Sequence, residues 1–186
     1  MPTIITYEVA DTPMGRLSRS DVQRSLERAT SEWNRVMIGL VQFVPRSRAS
    51  CDPLVLVSVG QQYKGREIQA PGARELATTT EFKGKLNPRW FIELKDDAPP
   101  IDWVSAATSR VVRGYRNLFG LVPGKYSLVG VLLHELGHVM QLEHEEPGVL
   151  DLIMSSTCAT RETISKFEAE RYRDFFVKYI LPDQAD

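Results

Sequence analysis

All three histidines of this 186-residue chain fall within one segment, HELGHVMQLEH, which runs from His134 to His144. Residues four apart lie on the same face of a helix, so His134 and His138 direct their imidazoles to a single point. His144 lies six residues past His138. The chain therefore has to bend after about Met140 if a third imidazole is to reach that point. The spacing predicts a helix that ends in a sharp turn.

The residue types in this segment favour a metal centre. Zinc binds imidazole nitrogens at about 2.0–2.1 Å, and three protein ligands leave one coordination position for water. Glu135, beside the first histidine, can take a proton from such a water without binding the metal itself. Histidines kept for packing or solubility would be expected to scatter along the chain. The sequence therefore predicts an open, catalytic zinc site with His134, His138 and His144 as ligands and Glu135 as general base.

The hydrophobic periodicity elsewhere predicts one α+β domain over residues 1–186 with a mixed sheet. Amphipathic or apolar spacing predicts a helix at 20–38, the histidine-bearing helix at about 126–142, and a last helix at about 161–180. The first helix has its apolar stripe on residues such as Leu26 and Trp33, and the last has Ile164, Phe167, Phe175, Phe176 and Tyr179. β-Branched runs predict strands at 4–9, 41–44, 54–59, 76–82 and 89–94. A weaker pattern suggests a helix at 101–121, and 61–74 is typical of a surface loop.

Charge and cysteine content narrow the class of protein. The net charge of -1 lacks the excess of positive charge that is typical of proteins that bind nucleic acid or an anionic membrane surface. No apolar run is long enough to span a bilayer, and residues 1–9 lack the features of a signal peptide. We therefore expect a soluble chain, cytoplasmic by default, with no nucleic-acid or membrane partner; its oligomeric state stays open. Cys51 and Cys158 can pair or remain two free thiols, and the second reading is favoured.

The histidine segment resembles the elongated zinc motif of metzincins, HExxHxxGxxH, and Ile153-Met154 resembles their Met-turn, here at about 152–156. The order of ITYEV, the helix carrying Trp33, the paired strands and the FIEL strand is similar to that of a matrixin-like catalytic domain. The resemblance implies a twisted five-stranded mixed sheet, with Met154 as a hydrophobic floor below the histidines. It also implies a zinc-dependent endopeptidase whose substrate lies extended along an edge strand at about 76–82. The pocket beside the zinc would lie between the histidine-bearing helix and residues 155–160.

The chain departs from the metzincin pattern at two positions. Gln141 stands where a glycine is usual, and a non-glycine residue with positive φ costs about 1–2 kcal/mol. Either Gln141 accepts that strain or the turn is made differently. Residue 145 is Glu, as in astacin-like members, but no tyrosine follows Met154.

Asp96, Asp97 and Asp102 are more typical of a solvated loop than of a calcium site.

Two alternatives to an endopeptidase remain at this stage. The domain can be a non-proteolytic zinc-binding or assembly module on a metzincin scaffold, because a fold alone does not establish an activity. It can also be a hydrolase that acts on a small amide or on a peptide end. A cleft open at both ends favours the endopeptidase, whereas a cleft closed at one end favours the last reading.

Overall fold

A mixed five-stranded sheet is the centre of the fold. The computed structural model describes residues 1–11, 17–49, 53–59, 62–63, 66–67, 77–82, 88–94, 102–104, 125–145, 152–155 and 161–180. The strands of the main sheet are β1 (Thr3–Val9), β2 (Val41–Pro45), β3 (Val55–Val59), β6 (Ala77–Glu81) and β7 (Trp90–Leu94). Two short pairs lie outside it, β4 (Gln62–Tyr63) with β5 (Arg66–Glu67) and β8 (Asp102–Val104) with β9 (Lys125–Ser127).

The order of the strands puts β6 at one edge of the sheet. The order is β2-β1-β3-β7-β6, with parallel pairing from β2 through to β7. Only β6 runs antiparallel, and it pairs with β7 so that Thr79 lies opposite Ile92. This arrangement confirms the predicted α+β class and the five-stranded mixed sheet.

The N-terminal helix, Arg19–Val36, carries the amphipathic stripe that the sequence predicts. Ser18 caps it, because its hydroxyl accepts a hydrogen bond from the Asp21 backbone N–H. The stripe is buried from Val22 through Leu26 to Trp33. The indole N–H of Trp33 donates to the Leu133 carbonyl oxygen at 2.9 Å. This bond ties the N-terminal helix to the histidine-bearing helix inside the core.

The histidine-bearing helix, Leu128–Val139, is called the site helix below. It is apolar on nearly all sides, and ten of its twelve residues are buried, which places it in the core and not on the surface. The Ser127 hydroxyl caps it by accepting from the Gly130 N–H, and in turn donates to the Glu162 carboxylate at 2.8 Å. Glu162 also pairs with Arg28 of the N-terminal helix at 3.1 Å.

The C-terminal helix, Lys166–Phe175, continues into a π-helical segment, Phe176–Ile180. Its start is set by a capping box: the Ser165 hydroxyl accepts from the Glu168 N–H while the Glu168 carboxylate accepts from the Ser165 N–H. Tyr172 and Phe176 turn inward, and Tyr172 packs against Trp33 with ring centroids 5.6 Å apart.

Several predicted boundaries were wrong. The site helix is shorter than 126–142, because Lys125–Ser127 is a strand that pairs with β8 and because a turn replaces helix after Val139. The last helix begins at Lys166 and not at 161, since Ser165 is its cap. Phe167 and Tyr179 of its proposed stripe are half-exposed, whereas the buried Tyr172 was not predicted.

Five further predictions fall partly or wholly outside the described residues: the helix at 101–121, the loop at 61–74, the cysteine pair, the aspartate loop and the pocket wall at 155–160. In the proposed helix at 101–121, the described part, Asp102–Val104, is a strand. In the proposed loop at 61–74, β4 and β5 form an antiparallel pair. Cys51, Cys158, Asp96, Asp97 and residues 156–160 lie outside the described part of the chain.

The Trp33 contact is testable by mutation. Trp33→Phe removes the indole donor and leaves a gap in the core, so we expect the free energy of unfolding to fall by about 2–3 kcal/mol. Ile38→Ala is the control, because Ile38 is 72% exposed and its truncation should change stability by less than about 0.5 kcal/mol. Urea unfolding of both variants makes the comparison. Equal stability of the two would show that the bond from Trp33 contributes nothing to the fold.

Candidate metal centre

Backbone carbonyls fix the rings of the two helix histidines. Nδ1 of His134 lies 2.7 Å from the Ile153 carbonyl oxygen, and Nδ1 of His138 lies 2.8 Å from the Leu142 carbonyl oxygen. A carbonyl oxygen only accepts, so in both rings the Nδ1 atom carries the proton and donates it. The Nε2 atom of each neutral ring is left with its lone pair. This is the tautomer in which Nε2 can bind a metal ion.

The Nε2 atoms of all three histidines converge. His144 Nε2 lies 3.0 Å from His134 Nε2 and 3.1 Å from His138 Nε2, and the last two atoms are 3.1 Å apart. Two zinc–nitrogen bonds of about 2.0–2.1 Å at a tetrahedral angle separate their nitrogens by about 3.3 Å. Lone pairs this close repel each other unless a cation lies between them. The three histidines therefore fit a metal ion, and the structure identifies them as a group that can hold one.

Burial keeps the two helix histidines uncharged. Loss of solvent around His134 lowers its pKa to about 4, although the bond to Ile153 opposes the shift. Loss of solvent likewise lowers the pKa of His138, against the opposing bond to Leu142. Protonated imidazole cannot bind a metal, so a lowered pKa keeps both ligands available at neutral pH.

The turn after the site helix is a Schellman motif with Gln141 at its left-handed position. Gln141 has φ +63°, and among the described residues it is the only non-glycine residue with positive φ. The Leu142 N–H donates to the Gly137 carbonyl and the Gln141 N–H donates to the His138 carbonyl, which is the pair of bonds that defines this motif. Of the two alternatives drawn from the sequence, the structure shows the first: Gln141 accepts the strained conformation.

After the turn, the chain is bound to the segment Leu152–Ser155. The Glu145 N–H donates to the Met154 carbonyl at 2.9 Å, and Glu145 forms a parallel bridge with Ser155. The Glu145 carboxylate pairs with Arg171 of the C-terminal helix at 2.7 Å. His144 precedes Glu145 directly, so these contacts hold the backbone that presents the third imidazole.

Met154 is fully buried, and its side chain lies against the site helix at Gly137. A Cβ atom added to Gly137 would lie 2.2 Å from the Met154 sulfur and 3.5 Å from the Trp33 ring. The glycine between the two helix histidines thus allows the methionine to approach the helix. No periodicity or motif in the sequence indicates this role of Gly137.

Glu135 is 6% exposed and contacts the edge strand β6. The Thr79 hydroxyl donates to Glu135 Oε2 at 2.5 Å. A cleft of about 960 Å3 opens beside the histidines. Its walls come from the end of β6, from the start of β7 and from the turn after the site helix: Glu81, Phe82, Arg89, Trp90, His138, Gln141, Leu142, Glu143 and His144.

Glu168 is a buried carboxylate that supports the segment Leu152–Ser155. It accepts hydrogen bonds from the N–H groups of Ile153 at 2.7 Å and Ser165 at 2.9 Å, and it pairs with Arg161 at 3.0 Å. The other side of Ile153, its carbonyl, accepts from His134. One backbone unit therefore connects the C-terminal helix to a candidate metal ligand. The pattern Ser165-x-x-Glu168 is a capping-box signature that could have indicated part of this contact from the sequence.

The fold and the convergent histidines place this domain in the metzincin class of metallopeptidases. The family model for Matrixin matches residues 1–169, and the chain belongs to the matrixin family. The match includes the main sheet, the site helix, the segment with Met154 and the start of the C-terminal helix. No curated protein matches the chain. Within the described residues, no helix has both the length and the apolar character that crossing a membrane requires.

The strain at Gln141 predicts a stabilising substitution. Gly adopts φ +63° without the clash of a Cβ atom, and Gln141 is exposed, so Gln141→Gly removes little packing. We expect the free energy of unfolding to rise by about 0.5–1 kcal/mol, whereas Gln141→Val should lower it because β-branched residues tolerate positive φ worst. Urea unfolding of the two variants against the parent gives the sign. A destabilised Gln141→Gly would mean that the turn depends on the glutamine side chain.

The buried carboxylate of Glu168 predicts a large loss of stability on neutralisation. Glu168→Gln has one acceptor oxygen instead of two and no charge for Arg161, so we expect a loss of about 2–4 kcal/mol in thermal or urea unfolding. Glu170→Gln, two residues further along the same helix, is the matched control. Its carboxylate is 65% exposed, and its lysine partner lies 3.8 Å away, so it should change little. A small effect at Glu168 would remove it as a support of Ile153.

Proposed function

We propose that this chain is a zinc-dependent endopeptidase in which His134, His138 and His144 hold the zinc and Glu135 is the general base. The observation that carries the proposal is the convergence of three Nε2 atoms within 3.1 Å of one another. Two of them belong to the helix that also bears the buried Glu135. Membership of the matrixin family supports the same chemistry. We take residues 1–186 as one catalytic domain, because one core cluster runs from Ile5 to Ile180.

The residues of the chain have separate roles in this proposal. When bound, zinc would lower the pKa of a water molecule toward ~7 and polarise the scissile carbonyl. Glu135 accepts the proton of the attacking water and later gives it to the leaving amine. The bonds from Nδ1 to the carbonyls of Ile153 and Leu142 keep the two helix imidazoles oriented. Met154 and Gly137 pack together on the side of the helix that faces the core.

The substrate in this proposal is a peptide chain that lies extended along β6. Among the described residues β6 is the last strand of the sheet, and it pairs only with β7. An extended peptide can add to such an edge through backbone hydrogen bonds. Glu81 and Phe82, at the end of β6, line the same cleft as His138 and His144. A peptide that follows the strand would therefore pass the histidines.

The experiment measures metal content and cleavage of unfolded casein by the purified chain, with and without a chelator. We expect one zinc per chain and cleavage that the chelator abolishes. Glu135→Gln should keep the zinc and lose about 10²–10⁴-fold in rate, because general-base catalysis contributes about that much. His144→Ala should lower the zinc content. Glu170→Gln, the same chemical change on the exposed face of the C-terminal helix, should leave both unchanged.

The outcomes separate the competing functions. Zinc binding without cleavage of casein or of any peptide tested would favour the non-proteolytic zinc module. Cleavage restricted to chain ends or small amides would favour a hydrolase that acts on peptide ends or on small amides. An active Glu135→Gln variant would remove Glu135 as the base, and full zinc content in His144→Ala would remove His144 as a ligand.

A further inference from the structure

We propose that Thr79 is a positioning residue whose hydroxyl holds the carboxylate of Glu135, so that the edge strand orients the general base. The effect on catalysis rests on the proposed function, whereas the positioning of the carboxylate rests on the hydrogen bond between Thr79 and Glu135. The expected binding of substrate along this strand uses its backbone, and neither the zinc motif nor the family match assigns a role to the Thr79 side chain.

The distances indicate which oxygen receives the Thr79 proton. The hydroxyl lies 2.5 Å from Glu135 Oε2 and 3.3 Å from the Glu135 backbone carbonyl oxygen. Hydrogen bonds from a hydroxyl to a carboxylate are about 2.5–2.7 Å long, shorter and stronger than those to neutral acceptors. A hydroxyl has only one proton to donate. The carboxylate oxygen is therefore the acceptor, and the carbonyl contact is secondary.

The sheet fixes Thr79 in this position. Successive side chains of a strand point to opposite faces, so Thr79 faces the site helix while its neighbours Thr78 and Thr80 face away. Thr79 lies directly opposite Ile92 of β7, which is fully buried. The Thr79 hydroxyl is therefore carried by a strand, β6, that is paired with the buried strand β7. The position from which Glu135 receives its hydrogen bond is fixed by this pairing.

Orientation of this carboxylate bears on the reaction. The terminal torsion of a glutamate is broad, so the chain of Glu135 alone does not select one direction for its oxygens. Proton transfer depends on a base held within hydrogen-bond reach of its proton, and small displacements of reacting groups cost up to about 10²-fold in rate. The hydrogen bond from Thr79 restrains the direction of the Glu135 carboxylate on its side toward β6.

The kinetic test uses two substitutions of Thr79. Thr79→Val keeps the branched shape and removes the hydroxyl, whereas Thr79→Ser keeps the hydroxyl and removes the methyl group. In peptide hydrolysis we expect Thr79→Val to lose about tenfold or more in kcat with KM and zinc content unchanged, and Thr79→Ser to stay within about threefold of the parent. Thr3→Val, the same change on β1 at the far side of the sheet, should be neutral.

Two kinetic results would contradict the proposal. One is a Thr79→Val enzyme that keeps more than half of kcat. The other is a Thr79→Ser enzyme as slow as Thr79→Val, because the loss would then follow packing and not the hydroxyl. A rise in KM with kcat unchanged would instead assign Thr79 to substrate binding, which also overturns the positioning role.

A second measurement does not need activity. Urea unfolding at one fixed zinc concentration compares Thr79→Val in the parent and in a Glu135→Ala background. We expect the equilibrium constant of unfolding to change about tenfold more in the parent than in the Glu135→Ala background, since a hydrogen bond to a charged group couples its partners. Equal changes in the two backgrounds would show that Thr79 does not hold Glu135. If the parent binds zinc but cleaves nothing, the proposed function fails, and this cycle still decides the contact.

Discussion

Two hydrogen bonds from imidazole to backbone carbonyl set the geometry on which the candidate metal centre depends. They assign the proton of each helix histidine to Nδ1 and aim each Nε2 lone pair at the same point. Neither acceptor belongs to the regular part of the site helix: Leu142 lies in the Schellman turn and Ile153 lies in the later segment. The metal centre is therefore correct only if two separate loops are placed correctly. That requirement explains why so many contacts outside the helix converge on these loops.

The segment from Arg161 to Glu168 supports the loop that carries Ile153 and the beginning of the site helix. Glu162 holds the Ser127 cap at the beginning of the site helix, and Glu168 holds the Ile153 N–H beside its first histidine. Between them, the Ile164 N–H donates to Glu32 of the N-terminal helix. Buried carboxylates are costly unless they are paired, and here arginines partner both: Arg28 for Glu162 and Arg161 for Glu168. Residues 161–168 thus connect the N-terminal cap and the first histidine of the site helix to the rest of the core.

Sequence spacing predicted the features that depend on neighbours along the chain. The four-residue step of His134 and His138, the stripe of the N-terminal helix and the five main strands each follow from a local period, and each was found. Of the predictions that failed, one depends on a distant partner and the other on a local cap that the periodicity does not show. Residues 125–127 form a strand because β8 supplies hydrogen bonds to them, and the last helix starts late because Ser165 and Glu168 cap each other. Thr79 and Glu135 are 56 residues apart, and no periodicity relates them.

Gln141 shows why a departure from a motif need not change the geometry. The sequence alone could not choose between a strained glutamine and a different turn, because that choice depends on what the turn gains. In the structure the left-handed residue allows two backbone hydrogen bonds at the end of the helix and directs the Leu142 carbonyl to His138. Two backbone hydrogen bonds, each with a net value of about 0.5–1.5 kcal/mol, offset a strain of about 1–2 kcal/mol.

Binding of a cation by the three histidines would also stabilise the fold. The pKa of His134 is about 6.5 in the unfolded chain, whereas burial lowers it to about 4 in the folded chain. The folded protein thus holds the uncharged rings of His134 and His138 with their two Nε2 lone pairs directed at one another, which is unfavourable on its own. A cation at that point relieves the repulsion without displacing a proton from either helix histidine at neutral pH. Because the unfolded chain offers no such arrangement, the free energy of binding a cation at this point would add to the free energy of folding, and it would stabilise the turns that orient the three histidines.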